Sequence, residues 1–397
     1  MKKTSIVLFA SFILSIVACK QQKKEVTTNN ESVTEQMNVD NINPVYIGTY
    51  TKKEGHVDGK ADGIYLMNKK EDGSLEMVKT VAKITNPSYV KISADKKNLY
   101  AVSELTDSEA ASGFIYSFKI NDDFSLTQIG KLSTNGFAPC HIGIDHTDTY
   151  VFAANYADGV VTEYQRDSTG ILSAIATLEL NKIHPKENTG KAHAHEVTLS
   201  ANNKFAYIND LGNDKVWIYD FDEKTGKLTA NKQPYIAVAK GAGPRHFAFT
   251  PNQKYAYVIN ELNSTINVFS YHQETGELTN IQTISTLPSD YDGKSYCAEI
   301  EVHPNGHYLY ASNRGHNSIT AFKIDEETGQ LSVINFQSTE GDYPRHFIIN
   351  KQGDKIYAAN QNTSNITVLD INTENGSLSS AHQNVAVNTP VCIALYN

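Results

Sequence analysis

One pattern returns seven times along this chain, and that recurrence limits the fold more than any other feature. It runs NPSYVKISADKKNLYAVSE from Asn86, APCHIGIDHTDTYVFAANY from Ala138 and HAHEVTLSANNKFAYIND from His193. It continues as GPRHFAFTPNQKYAYVINE from Gly243, YCAEIEVHPNGHYLYASNR from Tyr296 and YPRHFIINKQGDKIYAANQ from Tyr343, and is cut short as TPVCIALYN from Thr389. Successive starts lie 52, 55, 50, 53, 47 and 46 residues apart. Repeats of this length build propellers or solenoids, because one unit cannot bury its apolar face without a neighbour.

Each unit reads as four strands. Phe247 and Phe249 alternate with Ala248 and Thr250, the period of a strand. A turn such as Pro251-Asn252-Gln253 leads into Tyr255–Ile259, rich in Tyr, Val and Ile. A third run follows, for example KVWIYDFD from Lys215 or SITAFKID from Ser318. A hairpin then recurs with Gly170, Gly226, Gly276, Gly329 or Gly376 two residues before a Leu. Gly there takes the positive φ that the turn needs. A fourth, outer strand ends the unit.

The two ends complement each other. The C-terminus offers one inner strand, TPVCIALYN, and the N-terminal part offers three more: PVYIGTYT from Pro44, GIYLMNKK from Gly63 and LEMVKTVAK from Leu75. Joining them in one sheet removes the free edge that exposes β folds to aggregation. An open solenoid would need capping repeats instead. The expected fold class is all-β: a seven-bladed β-propeller over residues 42–397, four antiparallel strands per blade, closed by a composite N- and C-terminal blade.

Residues 1–41 are expected to stand apart from that domain. Lys2 and Lys3 precede an apolar run, Thr4 to Ala18, too short for a comfortable membrane helix and of the length of an export-signal core. Ile16-Val17-Ala18-Cys19 resembles a bacterial lipobox; an ordinary signal peptide with a chance Cys is the other reading. The lipobox implies a leader over 1–18, cleavage before Cys19 and lipidation of the Cys19 thiol. Residues 19–41 are polar and aperiodic and read as a tether. The expectation is a protein of the cell envelope on the periplasmic side, held at the outer membrane by its lipid only. Losing Lys2 and Lys3 takes the net charge from −9 to −11. With no Lys/Arg-rich run, that balance excludes nucleic acid as the main partner. Cys140, Cys297 and Cys392 match no zinc spacing and are expected as buried free thiols.

The polar residues fall in columns. The fourth position of the repeat reads Tyr89, His141, Glu196, His246, Glu299, His346 and Cys392, and the position before it reads Ser88, Cys140, His195, Arg245, Ala298, Arg345 and Val391. Five of the seven fourth-position residues are ionisable, against 92 of 397 in the chain, an enrichment that packing alone does not require. Fourteen residues on come Ser103, Asn155, Asp210, Asn260, Asn313 and Asn360; fifteen on come Glu104, Tyr156, Leu211, Glu261, Arg314 and Gln361. Antiparallel pairing of the first two strands predicts that all these columns share one mouth of the central channel. A ring of His, Glu and Arg is costly to desolvate unless its members pair or meet a ligand. A polar plug of mutually bonded channel residues is the alternative. His195, His246, Glu299, Arg345, His346, Asn155, Asn260 and Asn313 are expected to bind substrate. Arg supplies a planar fork for carboxylate or phosphate.

APCHI, AHAHE, AGPRHFAF, YCAEIEVHPNG and YPRHF, with YIGTYT near the start and DLGNDKVWIYD after the third inner strand, resemble the seven-bladed lactonase family. That family includes propeller-type 6-phosphogluconolactonases and the fungal carboxy-cis,cis-muconate cyclases. The resemblance covers about residues 42–397. It implies hydrolysis of a sugar lactone to the hydroxy acid, with a catalytic His, Glu and Arg on successive inner strands, matched here by His141, Glu196 and Arg245. In that reading Glu196, His141 or His246 takes a proton from water, and Arg245 with Arg345 holds the oxyanion or the substrate's anionic group. The cyclase branch also uses an Arg before its Glu; Lys182, His184 and Lys186 stand in that stretch, which counts against cycloisomerase chemistry. GxSxG is absent, so no serine elbow is expected. Ligands on different blades give no metal spacing, and no cofactor is expected. The protein is expected to be a monomer acting on a small-molecule lactone. Export conflicts with the cytoplasmic origin of 6-phosphogluconolactone, so a non-catalytic envelope propeller binding a glycan, peptide or protein is the reading from another class.

Overall fold

Short β-rich runs punctuated by Gly hairpins fold into seven four-stranded antiparallel sheets set as blades in a ring. The computed structural model describes residues 42–396 apart from 56, 184 and 189. The expected leader 1–18, Cys19, the tether 19–41 and His184 therefore lie outside the described residues. From the channel outward, blade 1 holds Val90–Ile92, Asn98–Ser103, Phe114–Ile120 and Leu126–Ser133. Blades 2 to 6 begin at the channel with Pro139–Ile144, Ala194–Leu199, Pro244–Phe249, Tyr296–Val302 and Pro344–Ile349. In blade 7 the order is Pro390–Leu395, Pro44–Thr49, Ile64–Lys69 and Leu75–Ala82. Val45 pairs with Leu395 and Gly48 with Cys392, so the two ends of the propeller close one sheet, as expected.

Burial follows position in the blade. Second strands such as Tyr150–Asn155 and Phe205–Asp210 are buried along their whole length, because neighbouring blades cover both faces. Outer strands such as Leu172–Glu179 are largely exposed. The core is accordingly a set of inter-blade clusters, one of them built on Phe205, Tyr207, Phe247 and Phe269. One hydrogen bond recurs between blades: the second-strand Tyr donates its hydroxyl to the hairpin Gly carbonyl of the next blade. Tyr100 reaches Gly170 (3.1 Å), Tyr207 Gly276 (2.8 Å), Tyr257 Gly329, Tyr310 Gly376 and Tyr357 Gly73 (3.0 Å each). Gly329 has φ +73°, and a Cβ there would sit 2.3 Å from the Tyr255 ring, so both conformation and space call for Gly. Cys140, Cys297 and Cys392 are free and buried. Among the described residues no helix is long and apolar enough to cross a membrane.

Candidate active site

The inner strands carry a bulge where the site residues stand. Pro139 pairs with Asn155 but His141 with Ala154, leaving Cys140 without a ladder partner. The same slip leaves out His195 in blade 3, Arg245 in blade 4 and Arg345 in blade 6. A bulge re-aims its side chains and bends the strand. Here consecutive residues reach the channel in opposite directions. The fourth-position residues Tyr89, His141, Glu196, Glu299, His346 and Cys392 line one cavity of about 420 Å³. Cys140, His195 and Arg345 line another, of about 500 Å³. The single mouth expected from the sequence is thus two. Residues at or just past the end of the second strand join the bulge residues, not the fourth-position ones: Glu104, Tyr156, Glu261, Arg314 and Gln361 all line the larger cavity. Their column was visible in the sequence, but its charge pairing across blades was not.

Between the two cavities lies a partition, so the polar-plug alternative holds for the middle of the channel. His246 Nδ1 sits 2.9 Å from Glu299 Oε1 and its Nε2 lies 3.3 Å from Arg245 Nη1. The His246 ring also meets those of His141 and His195 edge-on, at 5.7 and 5.1 Å between centroids. Arg245 donates to the Ala298 carbonyl at 2.6 Å and places its Nε 3.0 Å from Glu261 Oε2. His246 and Arg245 therefore belong to the wall.

The larger cavity sets two guanidinium groups, Arg314 and Arg345, against two carboxyls, Glu104 and Glu261. Glu261 bridges Arg245 and Arg314, whose Nη2 is 2.9 Å away. Burial pushes the Glu261 carboxyl up, but Arg314, Arg245 and Arg345 override it and hold it below the usual carboxylate range. Arg314 also donates to the Cys297 carbonyl at 2.7 Å. Arg345 is different. It lies over the Tyr50 ring at 5.5 Å and makes no direct ion pair or hydrogen bond with any described residue, while Glu104 and Glu261 nearby reinforce its charge. The Tyr50 hydroxyl donates instead to Glu104 Oε2 at 2.9 Å. His195 is 3% exposed, and neither of its ring nitrogens has a partner among the described residues; Nδ1 is fully buried. Burial, then Arg245, holds its pKa well below the ordinary imidazole value, so it is neutral at pH 7. Tyr156, stacked on His193 at 4.7 Å, forms the wall beside it.

The smaller cavity is acidic. His141 Nε2 stands 3.7 Å from Glu196 Oε1, and His346 Nε2 stands 3.5 Å from Glu299 Oε2. The resemblance expected His141, Glu196 and Arg245 to act together; the fold places the first two in this cavity and Arg245 in the partition. Asn155, Asn260 and Asn313 line neither cavity. All are fully buried, and their amides tie the second strand to the framework: Asn155 Nδ2 donates to the carbonyls of Thr134 (3.0 Å) and Val160 (2.9 Å), Asn313 Nδ2 to that of Thr286 (3.1 Å), and Asn260 Nδ2 to Asn267 Oδ1 (2.7 Å). Lys182 is exposed and pairs with Glu179, away from both cavities.

Known proteins share this fold and much of this sequence. The sequence model of the family described as lactonase, 7-bladed beta-propeller, matches residues 44–395. The 6-phosphogluconolactonase of Bacillus subtilis is 32% identical over 308 residues, 77% of this chain and 84% of that protein. A 6-phosphogluconolactonase of Formosa agariphila is 32% identical over 316 residues, 77% of this chain and 86% of that protein. The periplasmic gluconolactonase of Pseudomonas aeruginosa superposes with a TM-score of 0.80 at 28% identity, covering 88% of this chain and 98% of that one. On this sequence match and this architecture, the chain belongs to the seven-bladed β-propeller lactonase family.

Proposed function

We propose that this protein hydrolyses a sugar lactone in the larger, Arg-lined cavity. One observation carries the reading: the Arg345 guanidinium, with no direct hydrogen bond or ion pair among the described residues, lines a cavity of small-molecule size together with a neutral, unpartnered imidazole, His195. A lactone needs an activated water and a stabilised oxyanion. His195, in the tautomer with Nε2 unprotonated, takes a proton from water as its oxygen bonds to the carbonyl carbon. Arg345 stabilises the oxyanion. When the carbon–oxygen bond of the ring breaks, the imidazolium returns the proton to the leaving alkoxide and the hydroxy acid forms. Arg314, fixed by Glu261, supplies a second cation for an anionic substituent or for the product carboxylate. Cys140 lines the same cavity, but burial raises its thiol pKa and keeps it protonated, so it serves as wall and not as nucleophile.

The periplasmic relative supports a second part of the proposal, that the substrate is met outside the cytoplasm; an anchor at Cys19 rests on the lipobox-like motif alone. Plain and phosphorylated gluconolactone, followed by pH-stat, test the assignment. Arg345→Met is expected to lower kcat/KM roughly 100-fold, the scale of losing one oxyanion donor. Unchanged hydrolysis by that variant would remove the cavity from the reaction.

A further inference from the structure

The cavity on the opposite side of the partition has no part in the proposed hydrolysis, yet it is built as a binding site. Its volume, about 420 Å³, suits a small molecule. Glu196, Glu299 and Glu301 line it, and among the described lining residues Lys91 is the only Lys or Arg. Each carboxyl is fixed by the framework. Glu196 Oε2 accepts from the Phe247 amide and from Asn209 Nδ2 (3.3 Å), Glu299 Oε1 accepts from the Ile300 amide (3.1 Å), and Glu301 Oε2 accepts from the Ile349 amide (2.8 Å). An aromatic wall stands beside them. Tyr89 packs on His141 at 4.5 Å and meets His346 edge-on at 6.2 Å. His346 is 7% exposed, and its Nδ1 has no partner. Burial, the first cause for both, keeps His141 and His346 neutral at pH 7, with Glu299 opposing it at His346, which still falls to about 4.

We propose that this cavity is a second binding site, separate from the hydrolytic one, for a small organic ammonium ion, seated between the carboxyls and the Tyr89 face. A metal ion fits less well. Among the described residues no three His, Cys, Asp or Glu converge as a metal site would require, so the carboxyls surround a volume and not a point. A buried set of carboxyls against an aromatic face is the chemistry that recognises an alkylammonium. Burial, reinforced for Glu196 and Glu301 by Glu299, raises both of those carboxyls to about 8. A bound cation favours their charged forms, so its binding releases protons near neutral pH.

Calorimetry of the full chain with tetramethylammonium chloride and with ethanolamine hydrochloride tests this, with glycerol and sodium acetate as neutral and anionic probes. Saturable binding of the ammonium probes is expected, with an enthalpy that varies with the buffer's ionisation heat. Glu301→Gln and Tyr89→Leu should each weaken it roughly tenfold. Lys91→Ala, at an exposed side chain that threatens folding least, should tighten it. Gluconolactone hydrolysis should stay the same in all three, which separates this site from the hydrolytic one. No saturable ammonium binding, equal binding of glycerol, or a Lys91→Ala protein that binds no more tightly would overturn the proposal.

Discussion

Glu163 shows how one buried carboxyl can bend the stability of the whole chain. It is 1% exposed, its Oε1 has no hydrogen-bond partner, and burial, then Asp145, raises its pKa to about 8. The protonated form is the one the fold tolerates. Its contribution to stability is therefore complete below the ordinary Glu value of 4.5 and is lost as pH rises through about 8. The urea midpoint should fall between pH 5 and pH 9, and Glu163→Gln should make that fall shallower; an unchanged slope would show Glu163 charged and solvated in the folded state. At this scale the sequence was a partial guide. Arg245, Arg345, His195 and Glu299 could be picked out because ionisable residues crowd two adjacent positions of a β repeat. Their partners could not. Glu261 meets Arg314 53 positions away, a distance set by blade spacing and by where each side chain leaves its strand.

Strands, hairpins and the composite blade were legible because each rests on local chemistry: alternation, Gly at a positive φ, and complementary fragments at the two ends. The bulges were not. One extra residue in a strand leaves the repeat spacing intact, so counting positions merged two columns that the fold sends to opposite cavities. The Tyr-to-Gly hydrogen bonds belong to this scale, since each fastens a hairpin to the neighbouring blade. Tyr257→Phe should cost about 1 kcal/mol, the net worth of one hydrogen bond. Gly329→Ala should cost more, about 2 kcal/mol, because it adds backbone strain and a contact with the Tyr255 ring. Urea unfolding of both variants checks the order, and a Gly329→Ala protein as stable as wild type would show that the hairpin can move away.

Across the whole molecule, ring closure puts chemistry from six blades around one axis, and the partition of Arg245 and His246 divides that axis into unlike halves. One half sets two Arg against two Glu beside a neutral imidazole, the other gathers three Glu around an aromatic wall. Membership of the lactonase family says that lactone chemistry belongs to this architecture; which half performs it is the central claim here. Two imidazoles in adjacent blades, one position apart in the repeat, decide it, because His141 lines the smaller cavity and His195 the larger. The measurement is kcat/KM for gluconolactone hydrolysis by His195→Ala and His141→Ala, each checked for wild-type unfolding behaviour. His195→Ala should lose about 100-fold or more, the scale of removing a general base, with His141→Ala close to wild type. An inactive His141→Ala beside a fully active His195→Ala would contradict the account and move the reaction to the acidic side.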